Sequence, residues 1–287
     1  MLVLLLLLVA AVLSFASKSS IRYLEGNSWL FRLNNIGMLL DPVLVSPLDF
    51  GVPFLYKGEK KIVDGPAYIK NNDIDYVLIT QGFDDHLHLP TIKALMKYNP
   101  NLMYITPPSG ENMLKSIGVP LNNQIVIKHR ETIELNTKNS DEKIKILATE
   151  GALLGPPWQA KENGYIISSN APNPSFPSIY IEPHCMYNEN ELASQQADYI
   201  ISPIVAQELP FYTLVDGMQS VLQLQKTLKS KYIVPMANGD LRQSGLLANI
   251  IKTRGSIGEF QSILNDSSFN KCTLVPCTPC VDIDLKM

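Results

Sequence analysis

Residues Asp75 to Thr80 read DYVLIT, a short apolar, β-rich run with no polar alternation. A run of this kind suits a strand buried on both faces, which is found inside layered α/β sheets rather than at a solvated sheet surface. Soon after it, Pro90 suits the first turn of a helix, Ile92, Leu95 and Met96 supply an apolar face, and Asn99-Pro100 ends the segment. A strand of this type that leads into an amphipathic helix needs cover on both sides, and the rest of the chain offers it. Strands are expected at Leu102 to Thr106, Ile125 to Ile127, Thr132 to Leu135, Ile144 to Thr149, Tyr165 to Ser168, Ser178 to Glu182, Tyr199 to Ser202 and Tyr232 to Met236. Helices are expected from a Ser109 cap to Gly118, over Met218 to Lys229, Leu246 to Thr253 and Ile257 to Leu264. Ahead of these, Ser28 to Leu33 and Ile36 to Leu40 read as a hairpin around Asn34-Asn35, and Pro47 to Pro66 as an irregular loop long enough to line a site. With no linker and no repeat of fixed period, the simplest assembly is two sheets with helices outside them.

Composition narrows the function more than the fold. The 287 residues carry a formal charge of -3 with no block of like charge, which gives no electrostatic footprint for nucleic acid or an anionic membrane. Met1 to Phe15 (MLVLLLLLVAAVLSF) is short for a membrane span but suits the apolar core of a secretory signal, and Ser14-Phe15-Ala16 fits a small-x-small cleavage pattern. The expected organisation is a signal peptide over residues 1–16 and one domain over 17–287, routed to the secretory pathway or secreted. A plastid reached by a signal-led route is the alternative, and membrane contact would come only through an uncleaved leader. Cys185, Cys272, Cys277 and Cys280 are too few for a disulfide scaffold, and a lone C-x-x-C is half of a zinc site. A disulfide in the tail or unlinked thiols both remain open.

The chemistry-bearing stretch is ITQGFDDHLH, Ile79 to His88, which places two carboxylates and two imidazoles on the loop between the DYVLIT strand and the helix after it. Loops at the carboxyl ends of strands are where α/β proteins usually hold their chemistry. Asp85 and His86 can act there as metal ligands or as an acid/base pair. Asp85 can instead cap the helix, and His88 can belong to the helix start or to a pocket wall.

At this point the chain resembles the metallo-β-lactamase superfamily, and most closely its ascorbate-phosphate lactonase-like branch with plant and cyanobacterial relatives. The resemblance rests on GNSWLFRLNNIGMLLDPVL as the opening hairpin, ITQGFDDHLH as the metal loop, IYIEPHC as the bridging-acid strand and IVPMANGDL as the last-ligand strand. It implies an α/β fold, the αβ/βα four-layer sandwich, with the site at one edge of the paired sheets. The family's metal loop reads H-x-H-x-D-H; here those positions hold Gln81, Phe83, Asp85 and His86. Glu150-Gly151 stands where a third histidine is expected, Ala237 where a last one is, and Glu182-Pro183-His184 where the bridging Asp falls.

The resemblance therefore implies a degenerate active site. Phe83 and Ala237 bring no side-chain ligand, so the usual two-zinc clamp is not available. The ligand count favours a site without metal; the alternative is one zinc on Asp85, His86, His184 and a water. Asp84, His88, Glu150 and Asp240 are expected to gather at the same edge, with His88, Glu150 and Asp240 serving a small-molecule ligand. Gly155-Pro156-Pro157 sets a stiff turn that aims Trp158 either at the site rim or onto the core as a lid. The expected function is a hydrolase-like activity on an ester, lactone or phosphodiester, with Asp85 and His86 as the catalytic residues. The alternative is a non-catalytic small-molecule-binding protein on the same fold.

Overall fold

The computed structural model describes residues 19–265 and 272–287, apart from positions 46, 139, 154–157 and 238. The leader and the Gly155-Pro156-Pro157 turn lie outside the described residues. Two seven-stranded sheets make the framework. The first runs in the order Asp282–Asp284, Ser20–Tyr23, Trp29–Leu33, Ile36–Leu40, Tyr76–Leu78, Met103–Thr106 and Gln124–Val126. The second runs Thr273–Leu274, Tyr232–Met236, Tyr199–Pro203, Ile179–Ile181, Asn163–Ser169, Lys143–Glu150 and Thr132–Asn136.

Side-chain alternation explains why the sheets pair. In the first sheet Phe31, Met38, Leu40, Leu78 and Ile105 enter the core between the sheets, while Leu30, Leu39, Val77 and Tyr104 face the outer layer. In the second, Ile179, Ile181, Ile201 and Val234 point inward and Tyr180, Ile200 and Ile233 outward. With successive side chains on opposite faces, an unbroken apolar strand must be covered twice. Helices Leu89–Tyr98 and Pro108–Ser116 cover one outer face through Ile92, Leu95 and Leu114. Met218–Leu228 and Ile257–Leu264 cover the other through Val221, Leu224, Leu228 and Phe260. The result is the expected αβ/βα sandwich.

The Asn34-Asn35 hairpin forms as read, with φ of 45° and 64° at its two turn residues. Two expectations need correction. Ser109 is not the helix cap: the helix starts at Pro108 behind Pro107, and the Ser109 hydroxyl accepts from the Gly82 amide and donates to Glu162 at 2.7 Å. A hydroxyl within reach of a buried carboxylate is drawn there instead. The helix at Leu246 stops at Ile250, because Lys252–Arg254 leaves it to pair with Ala206–Leu209. The loop after Pro47 also contains a helix that the sequence reading passed over, Gly65–Asn71, capped by Asp64, whose carboxylate accepts from the Ala67 amide.

Two small sheets overlie the edge where the parallel strands end. Lys57–Glu59 pairs with Arg242–Ser244, and Ala206–Leu209 pairs with both Tyr212–Val215 and Lys252–Arg254. Neither sheet contributes to the central core. Both wall a cavity at the strand ends. None of the helices among the described residues is long and apolar enough to cross a membrane, and all four cysteines carry free thiols.

Candidate functional site

Four strand ends converge on one edge. Asp41 follows Ile36–Leu40, Thr80 to His86 follow Tyr76–Leu78, His184 follows Ile179–Ile181, and Gly239 lies just beyond Tyr232–Met236. The two sheets are tied together here, since the Tyr165 hydroxyl donates to the Ile79 carbonyl at 2.7 Å and the Asn163 amide to the Thr80 carbonyl at 3.0 Å. The edge is therefore a rigid place to hold side chains.

His86 is fully buried and gripped from both sides. Its Nδ1 lies 2.7 Å from Asp41 Oδ2, and the Thr80 hydroxyl donates to the same carboxylate oxygen. Its Nε2 lies 3.3 Å from Asp85 Oδ2 and 3.1 Å from the Asn27 amide nitrogen. Burial pulls the imidazolium down, but Asp85 and Asp41 outweigh it and raise the ring to about 10. Burial pushes Asp85 upward, yet the charges of His86 and His184 bring it down to about 2. For Asp41, with no exposed surface, burial wins over the pull of His86 and raises it. The two carboxylates thus favour the charged imidazolium between them.

The ring of His184 sits 5.3 Å from that of His86, centroid to centroid, and its Nδ1 meets the Gln81 amide at 2.7 Å. One donor atom each from Asp85, His86 and His184 lie within 4.8 Å of one another. Two buried oxygens beside His184, Gln81 Oε1 and Glu182 Oε1, have no hydrogen-bond partner. Glu182 uses its other oxygen to accept from the His184 and Met186 amides. Two imidazoles and a carboxylate, with unsatisfied oxygens nearby, are a donor set that fits one divalent transition metal with coordination positions left open. Asp41 supplies the carboxylate behind the histidine that fixes ring orientation at such sites.

Next to the triad opens a cavity of about 220 Å³, reached by Asp85, His184 and Asn27 at one end and otherwise walled largely by aliphatic side chains. The other residues expected at the site stand elsewhere. Trp158 is 85% exposed and does not line this cavity, so it neither forms the rim nor packs on the core. Glu150 turns outward to Lys161 and Asn188, where an ammonium and an amide satisfy it at 2.5 and 3.1 Å. His88 is buried beside Thr91, 2.9 Å from its hydroxyl, and burial lowers it to about 4. Asp240 pairs with Lys61 and borders an adjoining hollow. Asp84 lies outside the triad, raised by burial and by its neighbours Asp85 and Asp49. Asp85 does not cap the helix, which begins at Leu89 behind His88.

Sequence reading missed Asp41, Asn27 and Lys60. Asp41 left one signal, an acid closing an apolar strand just before a proline; its φ of 43° is the left-handed conformation that few side chains adopt. Asn27 and Lys60 left none. The Lys60 ammonium donates to the carbonyls of Leu24 and Glu25 and to Ser28 Oγ, while the Glu25 carboxylate accepts from the amides of Lys61, Ile62 and Val63. This reciprocal clamp holds the turn that carries Asn27.

Residues 20–237 match the model of the β-lactamase superfamily domain. The chain belongs to the metallo-β-lactamase superfamily. Solved structures agree on the fold of this superfamily member. Igni18, a novel metallo hydrolase from the hyperthermophilic archaeon Ignicoccus hospitalis, superposes with a TM-score of 0.64 at 15% identity over 94% of this chain and 100% of its own. A possible metal-dependent hydrolase from Veillonella parvula gives 0.66 at 16% identity, over 94% and 100%. An isothiocyanate hydrolase from Delia radicum gut bacteria gives 0.64 at 12%, over 93% and 100%. None of the curated proteins matches the sequence.

Proposed function

We propose that this superfamily member is a hydrolase that works with a single metal ion in an altered site, acting on an ester or related acyl compound. The observation that carries the reading is the Asp85, His86 and His184 triad, with donors within 4.8 Å and Asp41 behind His86, placed at the mouth of a cavity. Asp85, His86 and His184 would hold the metal; Gln81 and Phe83 occupy the positions at which the resemblance expects two further histidines, which is why one ion suits the site better than two. A metal held by these three residues would act as a Lewis acid and would supply an activated water as nucleophile at neutral pH.

The remaining work falls to the chain itself. Asp41, 2.7 Å from His86 Nδ1, would hold the proton there and leave Nε2 for the metal. The Gln81 amide fixes the His184 ring, and Asn27 holds the Asp85 backbone carbonyl at 3.2 Å. The cavity walls keep bulk water off the reacting group.

Elemental analysis of the purified full chain is the test, read beside hydrolysis of phenyl acetate after loading with zinc, manganese or iron(II). About one metal per chain, lost in Asp85→Ala and in His184→Ala together with the hydrolysis, is the expected result. A protein that takes up no metal and hydrolyses nothing would make the fold a binding module and end the proposal.

A further inference from the structure

The cavity says what kind of molecule it takes. We infer that the ligand is a neutral carboxylic ester or lactone with a short acyl or aryl group, and not a phosphorylated compound; this rests on the hydrolase reading for its reaction but not for its binding. Away from the triad the wall is apolar and largely aliphatic, with Val43, Leu48, Leu209, Leu214, Leu241 and Leu247 facing the space beside the rings of Phe50 and Tyr56. Gln207 and Gln243 offer neutral amides. A volume of about 220 Å³ lies below the ~300–1,000 Å³ of pockets for drug-sized ligands, so the buried group is small.

Away from a metal ion, a phosphate needs guanidinium or ammonium groups, or a helix start with free amides. Among the described residues the one Lys or Arg that lines this cavity is already engaged, as are Lys57, Lys61 and Arg242 beside it. Lys60, which reaches the wall, spends its ammonium on two carbonyls and a hydroxyl. Lys57 and Arg242 both meet Glu59, and Lys61 meets Asp240. In the short helix beside the cavity, the first amides, of Leu246 and Leu247, donate to the Phe54 and Leu55 carbonyls. At the triad end Asp85 lines the cavity beside the His86 imidazolium, and Asp84 and Asp49 stand close enough to act on one another, so that end offers a phosphate further carboxylates rather than free cations. A metal on the triad would offset this charge only at the reacting carbonyl, leaving the rest of the ligand on aliphatic wall.

The reaction expected of such a ligand is acyl hydrolysis. Water oxygen bonds to the carbonyl carbon, the acyl C–O bond breaks, the alcohol leaves with one proton, and the acid ionises to a carboxylate by releasing the other.

Calorimetric titration of the metal-free full chain with phenyl butyrate and with phenyl phosphate separates binding from turnover, and the same probes are then offered to the metal-loaded protein. Phenyl butyrate is expected to bind, phenyl phosphate to bind at least tenfold more weakly, and Leu247→Trp, at a half-buried position of the wall, to weaken phenyl butyrate at least tenfold while melting near the wild type. If Leu247→Trp fails to fold, a series of p-nitrophenyl esters from acetate to dodecanoate takes its place, with affinity expected to fall beyond short acyl chains. Phenyl phosphate binding as tightly as phenyl butyrate, no binding of either, or an unchanged affinity in Leu247→Trp overturns the inference. Binding of phenyl butyrate without turnover under any metal would uphold the inference and sink the hydrolase reading. Turnover of phenyl phosphate alone would overturn the inference and the acyl part of the hydrolase reading, and leave only its metal-dependent hydrolysis.

Discussion

Asp41 shows how much a single carboxylate decides at this site. It has no exposed surface, it accepts from Thr80 through both the amide and the hydroxyl, and it lies 2.7 Å from His86 Nδ1. Replacing it by Asn keeps the shape but lets the amide nitrogen oppose the Nδ1 proton, which favours the wrong tautomer for a ligand at Nε2. Losing such a partner typically costs metal affinity by a factor of about 10–100. Asp41→Asn should therefore weaken metal binding by that factor in a competitive chelator titration, whereas Asp240→Asn, whose partner Lys61 is outside the triad, should leave it unchanged. Equal affinities for Asp41→Asn and wild type would show that His86 does not depend on Asp41 for its orientation.

Elements meet through close backbone approaches and through short polar staples, and each predicts its own failure. At the start of helix Gly65–Asn71 a Cβ on Gly65 would fall 1.3 Å from the Leu44 carbonyl oxygen, so Gly65→Ala must push the helix off the segment that carries Val43 to the cavity. Overpacking of this kind costs about 1–3 kcal/mol and occasionally more; urea unfolding should show a lower midpoint with little change in slope. At the far end of the second sheet, Asp198 accepts from the Ser178 amide and hydroxyl and pairs with Lys231 at 2.8 Å, which joins the starts of three parallel strands. Burial pushes Asp198 upward, but Lys231 and Ser178 outweigh it and its carboxyl is held below the usual range. A depressed folded value means that the unfolded chain binds more protons at low pH. The contribution is thus present above the unfolded value near 3.8 and is lost as pH falls through the folded one. Asp198→Asn is expected to lower stability by about 1 kcal/mol at neutral pH, with the gap to wild type closing toward pH 2. A gap that persists in acid would assign the loss to packing.

For the whole molecule, a metal on the triad would link occupancy to stability. A metal that binds the folded chain and not the unfolded one stabilises it by about 2.7 kcal/mol at a hundredfold excess over Kd. For a domain of this size that corresponds to roughly 5–10 °C in Tm. Zinc or iron(II) should raise the melting temperature of wild type by this amount, EDTA should reverse it, and His184→Ala should show neither effect. A wild type that melts at the same temperature with metal and with EDTA would argue against a bound ion.

The order of strands and helices, and with it the sandwich, was legible in the sequence because period and turn chemistry are local properties: DYVLIT, the Asn34-Asn35 turn and the proline at the start of Leu89–Tyr98 each act within a few residues. Asp85, His86 and His184 could be named for the same reason, since they stand in motifs that run along the chain. What surrounds them could not. Asn27 and Asp41 reach His86 across 59 and 45 positions, and Gln81 reaches His184 across 103. Glu150 and Trp158, close to the expected ligand position in sequence, turn away from the cavity. Whether a side chain at a strand end points into the edge or out to solvent depends on which neighbours satisfy it, as Lys161 satisfies Glu150 and Glu162 draws Ser109 from its expected cap. Those neighbours come from other strands. The motif alone specifies which donors are present; their pairing across two sheets and the aliphatic wall beside them exist only once the chain has closed.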